Sequence, residues 1–326
     1  MNARLILLFG LPRSGTTWLG KIFDSHPRTL YRHEPDSVDR LDLPLLIESL
    51  PADSVETLRD YCRGIRSNRA LKVVGKSPVF RKDYLGWHSL ARYRLGVALS
   101  RVASRAGFQW PVPGTPTAAN GESSVVWKSI ESLGRLGAIM GVLPDARALH
   151  IVRHPCGFVA SVERGETRNR FDDNSGASED YRLLEMLLET KAGQEWGVSM
   201  ADLRAMYPEE RLAWRWAVFN DKAMDETQSL PNVMRVAYER LCESPMEVSA
   251  ELLEFAGLDW SPQVERFVQA STSGAGESSY YSVFKNPRQA AWSWEQTLEQ
   301  TRIERIIRIA ARSRTWQGLG IGELSG

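Results

Sequence analysis

The chain has 326 residues, with 41 Lys and Arg against 40 Asp and Glu, and a formal net charge of +1. This length allows either two average domains or one α/β domain that carries insertions. The near-zero charge excludes the broad basic field typical of nucleic-acid-binding proteins, so we expect any anion site to be local. Cys62, Cys156 and Cys242 show neither C-x-x-C nor metal-ligand spacing, which predicts reduced thiols in a cytoplasmic protein.

The apolar run Leu5–Phe9 near the start of the chain predicts a buried strand. It is too short for the apolar region of a signal peptide, and a glycine-rich turn follows it in place of a cleavage site. No stretch of about 18 apolar residues occurs later in the sequence. We therefore expect a protein without a membrane span.

Residues 10–17 read G-L-P-R-S-G-T-T and give the order of strand, glycine-rich loop and helix that is typical of a phosphate-binding loop. Nucleotide triphosphatases have a lysine directly after the second glycine, where it reaches the β and γ phosphates. Here Thr16 occupies that position, and the positive charge lies at Arg13. Backbone N–H groups and the helix N-terminus can still bind an anion. The loop therefore predicts a phosphorylated donor other than magnesium ATP.

Four later apolar segments predict strands, at 70–74, 124–127, 148–152 and 232–237. Their alternation with helices predicts an α/β fold, a P-loop-type parallel sheet with helices on both faces. The capping sequence at 244–247 predicts a helix that ends near residue 255, and another helix is predicted to begin near Thr297. We expect a single domain over residues 1–326.

Two segments, 100–123 and 164–230, are predicted to be lids or insertions that form the acceptor site. The first is rich in proline and glycine after residue 107, and the second begins with a polar, charged stretch. Long irregular segments within a compact domain are usually lids, binding loops or disordered chain.

Arg153 directly follows the strand predicted at 148–152, and Ser161 comes eight residues later. A phosphate dianion is bound well by an arginine fork together with a hydroxyl. With the loop at 10–17, this R-x-P-x-x-x-x-x-S pattern resembles the donor-binding motifs of sulfotransferases that use 3′-phosphoadenosine 5′-phosphosulfate (PAPS). The similarity is to soluble bacterial-type members related to carbohydrate and protein-tyrosine sulfotransferases.

The resemblance implies roles for residues in both motifs and further along the chain. Arg153 and Ser161 would bind the 3′-phosphate of PAPS, Tyr238 in the Y-E-x-L segment would contact the adenine, and Lys285 and Asn286 would lie in a basic loop over the donor. The 5′-phosphosulfate would be bound by Pro12, Arg13, Ser14, Gly15, Thr16, Thr17 and Trp18. Trp18 is also explained by helix packing alone.

The reaction centre is assigned by the same resemblance. A strand ending in lysine near the reacting sulfate corresponds to Lys128, and Lys76 competes for this role because it also follows a predicted strand. A carboxylate shortly after the first helix serves as the base in the carbohydrate and protein-tyrosine branches, which favours Glu34. His33 is the alternative base, since imidazole titrates near neutrality. We expect an extended backbone at Glu34, because Pro35 follows, and therefore only one of the two side chains at the site.

The function implied is transfer of the sulfuryl group of PAPS, by in-line displacement, to a hydroxyl of a small molecule, carbohydrate, lipid or carrier-bound acceptor. The product would be adenosine 3′,5′-bisphosphate (PAP), and no metal is expected to be required. Two alternatives stay open. A P-loop kinase or hydrolase would need a lysine at position 16 and a magnesium-binding aspartate at a strand end, and neither is visible. A non-catalytic nucleotide-binding member of the family would bind PAPS without turnover.

Overall fold

Five parallel strands form one sheet in the computed structural model, which describes residues 4–117, 123–166, 176–273 and 287–323. The strands are β1 (Leu5–Phe9), β2 (Thr29–His33), β3 (Ser124–Ser129), β4 (Arg147–Val152) and β5 (Val233–Ala237). Their order across the sheet is β2-β3-β1-β4-β5, and every neighbouring pair is parallel. The predicted α/β class with a parallel sheet is confirmed.

Helices connect these strands and cover the sheet. In chain order they are α1 (Thr16–Ser25), α2 (Ser54–Gly64), α3 (Leu71–Val74), α4 (Trp87–Arg105), α5 (Leu136–Val142), α6 (Pro155–Glu166), α7 (Tyr181–Glu189), α8 (Lys191–Glu195), α9 (Met200–Ala205), α10 (Pro208–Thr227), α11 (Tyr238–Glu243), α12 (Pro245–Phe255), α13 (Pro262–Thr272), α14 (Pro287–Trp292), α15 (Gln300–Ala310) and α16 (Arg314–Gly318). Among the described residues, no helix combines the length and the apolar character needed to cross a bilayer.

The two faces of the sheet are covered by different helices. Successive side chains of a strand point to opposite faces. Leu7 and Phe9 of β1 accordingly pack in a core with residues of α5, α6 and α10, whereas Ile6 and Leu8 pack with residues of α1, α12 and α13. Burial on both faces explains why β1 is apolar at every position.

The strand order determines where a ligand can bind. The helix after β1 leads across β3 to β2, whereas the chain after β4 leads in the other direction, to β5. Ligands of open α/β sheets bind at the carboxyl ends of neighbouring strands whose connections diverge in this way. The fold therefore places a binding site between the carboxyl ends of β1 and β4, where the loop at 10–17 and Arg153 begin.

Two secondary-structure predictions fail. The strand predicted at 70–74 is wrong, because this segment forms the short helix α3, whose Val73 and Val74 pack with Tyr93 of α4 in a small separate cluster. A short apolar run does not distinguish strand from helix by its periodicity. The strand β2 was not predicted, because Thr29, Arg32 and His33 interrupt its apolar pattern, although all five of its residues are buried.

The described part of the segment 164–230 is largely helical. It contains α7 to α10, and α10 places Trp214 and Trp216 in the core beside the sheet. In the segment 100–123, α4 ends at Arg105 and Val112 packs with α3 and α4. The interpretation of the two segments as lids or insertions stays a prediction. The helices predicted from 244–247 and near Thr297 are present as α12 and α15.

Two aspartates of α10 hold the C-terminal helix α16 against the domain. Asp221 is buried, and its Oδ1 accepts hydrogen bonds from the Ser313 hydroxyl at 2.6 Å and the Thr315 N–H at 2.9 Å. Asp225 makes a bidentate ion pair with Arg314, and both side chains are partly exposed. One helix is thus attached to α10 by a buried and by a solvated carboxylate.

We expect Asp221→Ala to lower the free energy of unfolding by about 1–3 kcal/mol, because it leaves the buried Ser313 hydroxyl without its acceptor and removes one of the two acceptors of the Thr315 N–H. Asp225→Ala is the matched control and should cost less than about 1 kcal/mol, since exposed ion pairs contribute little. Urea unfolding followed by circular dichroism measures both. If both variants lose the same free energy of unfolding, burial of the carboxylate does not determine how strongly it holds α16 to α10.

Candidate active site

The loop at 10–17 forms an anion cradle at the N-terminus of α1. Arg13 has φ 73° and Gly15 has φ 85°, so the backbone turns through the left-handed region twice before α1 begins at Thr16. Gly15 precedes the helix without a side-chain cap, and among the described residues no backbone acceptor is recorded for the N–H groups of Thr16 and Thr17. Free N–H groups at a helix start attract an anion.

Tyr238 of α11 closes one side of this loop. A Cβ atom at Gly15 would lie 2.2 Å from Tyr238 Cδ2, so the ring touches the loop backbone and only glycine fits there. Trp18 meets the same ring edge to face, with centroids 6.4 Å apart. The Trp18 indole N–H donates to the Ser271 hydroxyl at 3.0 Å, and the side chain is buried. Trp18 therefore packs α1 against α13, and its predicted contact with the donor stays a prediction.

Arg153 joins the second motif to the loop. Its Nη1 donates to the Arg13 carbonyl at 3.0 Å, its Nη2 donates to the Ala290 carbonyl at 2.8 Å, and its guanidinium lies 4.9 Å from the Tyr238 ring centroid. Arg13 Nε in turn donates to the Ser161 hydroxyl at 3.1 Å. Residues that are 140 or more positions apart in sequence thus converge on one edge of the sheet.

These residues fit a nucleotide that carries phosphate groups. The buried Arg153 Nε has no hydrogen-bond partner among the described residues, so one charged donor of this fork is available to a ligand. The Arg13 carbonyl and the Tyr238 ring contact this guanidinium, and the Arg13 side chain bonds to the Ser161 hydroxyl. Arginine forks suit phosphate because their planar donors match its oxygens.

Glu239 fixes the backbone directly after Arg153, and sequence reasoning missed it. Its Oε1 accepts the His154 N–H at 3.0 Å, and the side chain is fully buried. Burial raises the pKa of Glu239 to about 7, although the nearby Arg153 opposes that shift. The only sequence signal was its place in the Y-E-x-L segment, which drew attention to the tyrosine.

The carboxyl ends of β2 and β3 bring together the predicted reaction-centre residues. The strand register pairs His33 with Lys128, and the Glu34 N–H donates to the Lys128 carbonyl at 2.8 Å. Lys128 Nζ makes an ion pair with Glu34 Oε1, and the lysine side chain is buried. Because β3 also pairs with β1, with Leu8 beside Lys128, this pair lies next to the strand that carries the anion cradle.

The expected extended backbone at Glu34 is wrong, so the reason for expecting only one of His33 and Glu34 at the site no longer holds. Glu34 has φ 48° and ψ 53°, in the left-handed region, despite the proline after it. This turn brings Glu34 Oε1 to within 3.7 Å of His33 Nε2. A non-glycine residue held in this conformation stores strain, as is common at functional positions.

His33 is held in its neutral form. Its Nδ1 lies 2.8 Å from the Tyr31 hydroxyl. Burial lowers the pKa of His33 well below its usual value of 6.5, and the charges of Lys128, Lys76, Lys21 and Lys72 lower it further. An imidazole with so low a pKa is a weak proton acceptor at neutral pH.

Lys76 and Lys21 add positive charge to the same centre. Burial and the charge of Lys128 lower the pKa of Lys76, while Glu34 opposes the shift, so the two lysines that compete in the sequence share one electrostatic site. Lys21 of α1 was not predicted. It is buried, pairs with Asp24, and donates to the Lys76 carbonyl at 3.0 Å and the Pro78 carbonyl at 2.7 Å. Several cations close to Glu34 suit a reaction that develops negative charge.

A pocket lies beside this centre. Basic and aromatic side chains line it, among them Tyr31, Arg32, Lys76, Phe80, Lys82, Tyr84 and Tyr93. Tyr31 and Lys76 belong both to the pocket and to the surroundings of His33 and Glu34. Lys285 and Asn286, which were predicted to cover the donor, lie outside the described residues.

Glu239→Gln should change how stability depends on pH. Because the folded-state pKa is raised, the native chain holds more protons than the unfolded chain between the ordinary glutamate pKa and about 7, so this group lowers stability as pH rises through that window. The glutamine amide does not titrate, so the variant does not lose this stability as pH rises. The unfolding temperature of the variant minus that of the wild type should therefore increase from about pH 5 to about pH 8.

The control is Glu239→Asp, which keeps a titratable carboxyl and should retain the slope. If the unfolding temperature of Glu239→Gln minus that of the wild type does not change with pH, the pKa of Glu239 is not raised by burial.

Comparisons with known proteins agree with the two motifs. A model described as "Sulfotransferase family" matches residues 6–262. Carbohydrate sulfotransferase 2 from Mus musculus and from Homo sapiens are each 24% identical to the chain over 351 residues, which covers 93% of this chain and 62% of the relative. The chain thus spans less than two thirds of the length of these curated relatives.

Two of the solved structures that resemble the chain are named sulfotransferases. The sulfotransferase domain of the Synechococcus PCC 7002 olefin synthase is 16% identical with a TM-score of 0.46, covering 95% of this chain and 94% of that chain. Mouse sulfotransferase SULT7A1, solved in complex with PAP, is 11% identical with a TM-score of 0.47, covering 99% of this chain and 89% of that chain. Because the family model matches most of the residues, including β1, the anion cradle and the Arg153 motif, the chain belongs to the sulfotransferase family.

Proposed function

We propose that the chain transfers the sulfuryl group of PAPS to a hydroxyl group and releases PAP. The observation that carries this proposal is the convergence of Arg13, Arg153 and Ser161, through the 3.0 Å and 3.1 Å hydrogen bonds, at the edge of the sheet beside the Glu34–Lys128 pair. Membership of the family supplies the reaction class. One anion cradle and one arginine fork are what a donor with phosphate groups at both its 5′ and 3′ positions requires.

The donor would lie across the carboxyl ends of β1 and β4. The 5′-phosphosulfate would accept hydrogen bonds from the N–H groups of residues 13–17 and from the hydroxyls of Thr16 and Thr17. Arg153 and Ser161 would hold the 3′-phosphate, and the Tyr238 ring would contact the adenine. Lys285 and Asn286 would complete the site from the C-terminal loop.

The transfer step would occur at the Glu34–Lys128 pair. The acceptor oxygen attacks sulfur in line with the leaving oxygen, the new S–O bond forms as the bond from sulfur to the 5′-phosphate oxygen breaks, and PAP leaves as an anion. Glu34 accepts the acceptor's proton, and Lys128 neutralises the charge on the sulfuryl or leaving oxygens. Lys76 adds charge to the same centre, so no metal is required by this scheme.

His33 would position Glu34 in this scheme. Its low pKa makes it the weaker candidate for the base, and its 3.7 Å separation from Glu34 lets it pack beside the carboxylate. The Tyr31 hydroxyl fixes its ring.

A kinase or hydrolase is less well supported by the same geometry. Thr16 stands where a nucleotide triphosphatase has its lysine. The residues that directly follow the described strands are Gly10, Glu34, Ile130, Arg153 and Tyr238, and none of these is an aspartate. The magnesium ligand of that class is therefore not present at these strand ends.

The acceptor is proposed to be a hydroxylated molecule whose reacting hydroxyl enters the small pocket lined by Tyr31, Lys76, Tyr84 and Tyr93. The pocket has room for a hydroxyl group and not for a whole sugar ring, so the rest of the acceptor would lie outside it. The curated relatives are named carbohydrate sulfotransferases, which makes a carbohydrate the first acceptor to test. A lipid or carrier-bound hydroxyl is compatible with the same proposal. The unpaired cysteines support a cytoplasmic setting.

Glu34→Gln should lower kcat by at least about a hundredfold, because the amide cannot accept the acceptor's proton. The affinity for PAP should change by less than about twofold, since Glu34 lies outside the donor cradle. Transfer of radiolabelled sulfate from PAPS to a panel of sugars and alcohols gives the rate on the best acceptor, and calorimetry gives the affinity.

His33→Gln is the control for this measurement. It should lower kcat less than Glu34→Gln does, as expected for a positioning residue. Near-normal turnover by Glu34→Gln would eliminate Glu34 as the base, and a larger loss in His33→Gln would assign that role to the histidine. A wild-type chain that binds PAP but transfers no sulfate to any acceptor would favour a non-catalytic member of the family.

Arg153→Lys should weaken PAP binding by about tenfold to a hundredfold, because one ammonium group cannot both replace the bonds to the Arg13 and Ala290 carbonyls and donate to the 3′-phosphate. Adenosine 5′-phosphosulfate, which lacks that phosphate, is the matched control ligand and should lose little affinity. Calorimetry of both ligands measures the difference. An equal loss for both ligands, or tighter wild-type binding of magnesium ATP than of PAP, would contradict the donor assignment.

A further inference from the structure

Helix α4 has two apolar faces, and within the part of the chain that the structure describes only one of them is covered. On the inner face, Tyr93 and Val97 pack with α3 and Val112, and Leu90 is buried. The outer face is also apolar. A surface helix of a globular protein normally turns polar residues to that side, so the outer face needs an explanation.

Four side chains of α4 form this outer patch, which we call the α4 surface: Trp87, Leu95, Leu99 and Val102. Each exposes between 52% and 73% of its area. Of the nine large hydrophobic residues that are exposed in the described part of the chain, these four lie on α4 and two more, Phe108 and Trp110, lie in the segment directly after it. Clustered exposure of this kind marks an interaction site.

The helix geometry makes the α4 surface continuous. At about 100° per residue, Trp87, Leu95, Leu99 and Val102 lie within an arc of about 120°, opposite the buried face. The Trp110 indole N–H donates to the hydroxyl of Ser100 on the buried side of α4 at 3.0 Å, so the segment after the helix packs away from this arc.

Positive charge borders this apolar arc. Residues 84–121 contain four arginines, Arg92, Arg94, Arg101 and Arg105, and no aspartate or glutamate, in a chain whose charges otherwise balance. By helical position Arg92 lies on one side of the arc, and the other three lie on the opposite side. The α4 surface is therefore an apolar stripe between two cationic margins.

We propose that the α4 surface binds an anionic phospholipid bilayer, with α4 lying in the plane of the interface. Tryptophan and leucine on one face of a basic helix are typical of interfacial amphipathic helices, which insert the apolar face at the headgroup boundary. Arg94 and Arg101 each donate to a backbone carbonyl of the chain, at Val79 and Gly75, and keep further N–H groups for lipid phosphates, while arginine stems cover apolar surface. This inference stands independently of the proposed sulfuryl transfer.

A second copy of the chain is a poorer partner for this surface. A two-fold contact would place the arginines of one copy against those of the other, because the same patch meets itself. Like charges at such short range oppose association. An anionic bilayer satisfies the arginines and the apolar arc together.

Docking in this way would bring the candidate acceptor pocket close to the lipid headgroups. Tyr93 on the inner face of α4 lines that pocket together with Lys76. Arg101 Nη2 donates to the Gly75 carbonyl at 2.5 Å, directly beside Lys76 in the chain. The bilayer would thus contact the helix that forms one wall of the pocket.

Sedimentation of the full chain with vesicles tests the proposal. Vesicles of phosphatidylcholine mixed with phosphatidylglycerol should bind the wild type at least about tenfold more tightly than vesicles of phosphatidylcholine alone. Raising the salt concentration should weaken binding, because it screens the arginines. Equal or negligible binding to both kinds of vesicle would overturn the proposal.

Variants separate the apolar and the charged contributions. Leu95→Asp with Leu99→Asp should lower binding by at least about tenfold, and Arg92→Gln with Arg105→Gln should remove most of the preference for phosphatidylglycerol. Arg182→Gln with Arg266→Gln is the charge-matched control on exposed positions of α7 and α13, and should stay within about twofold of the wild type. Trp87→Ala should also weaken vesicle binding. Trp260→Ala, at an exposed tryptophan outside the α4 surface, is its control. A control pair that loses as much binding as the α4 pair would overturn the site.

Circular dichroism and the unfolding temperature show whether each variant is folded. Light scattering without vesicles tests the competing occupant. A concentration-dependent dimer that Leu99→Asp dissociates, in a chain that does not bind vesicles, would show that a second copy covers the α4 surface.

Discussion

The parallel order of β2, β3, β1 and β4 is the constraint on which the candidate active site depends. All four strands end at the same edge, and each contributes a chemically distinct group there: Glu34 after β2, Lys128 near the end of β3, the anion cradle after β1 and Arg153 after β4. With neighbouring strands about 4.8 Å apart, the edge spans about 14 Å. The hydrogen bond from Arg153 to the Arg13 carbonyl then joins the two anion motifs.

Charge is distributed unevenly along this edge, although the whole chain is nearly neutral. Four lysines are close enough to lower the pKa of His33: Lys128, Lys76, Lys21 and Lys72. Two of them form ion pairs, Lys128 with Glu34 and Lys21 with Asp24. Buried charges are costly unless they are paired, so these carboxylates make the lysine cluster tolerable in the folded chain. The cluster in turn gives the site a positive potential suited to an anionic donor and to charge that develops during transfer.

The sequence indicated the positions of the loop at 10–17 and of Arg153 more directly than it indicated the surroundings of Glu34. The loop at 10–17 and Arg153 come directly after apolar strands, so local pattern alone places them at one sheet edge. Pattern could not show β2, whose polar side chains are buried by tertiary contacts, or α3, whose apolar run is too short to assign. The left-handed backbone at Glu34, the buried Lys21 and the role of Glu239 depend on long-range contacts that no local spacing encodes.

A crystal structure of the chain grown with PAP tests the central claim most directly. The account predicts the 5′-phosphate on the N–H groups of residues 13–17, and the 3′-phosphate on Arg153 and Ser161, with the open side of the 5′-phosphate directed toward Lys128. A nucleotide bound elsewhere on the sheet, or one whose 3′-phosphate does not touch Arg153, would contradict the account.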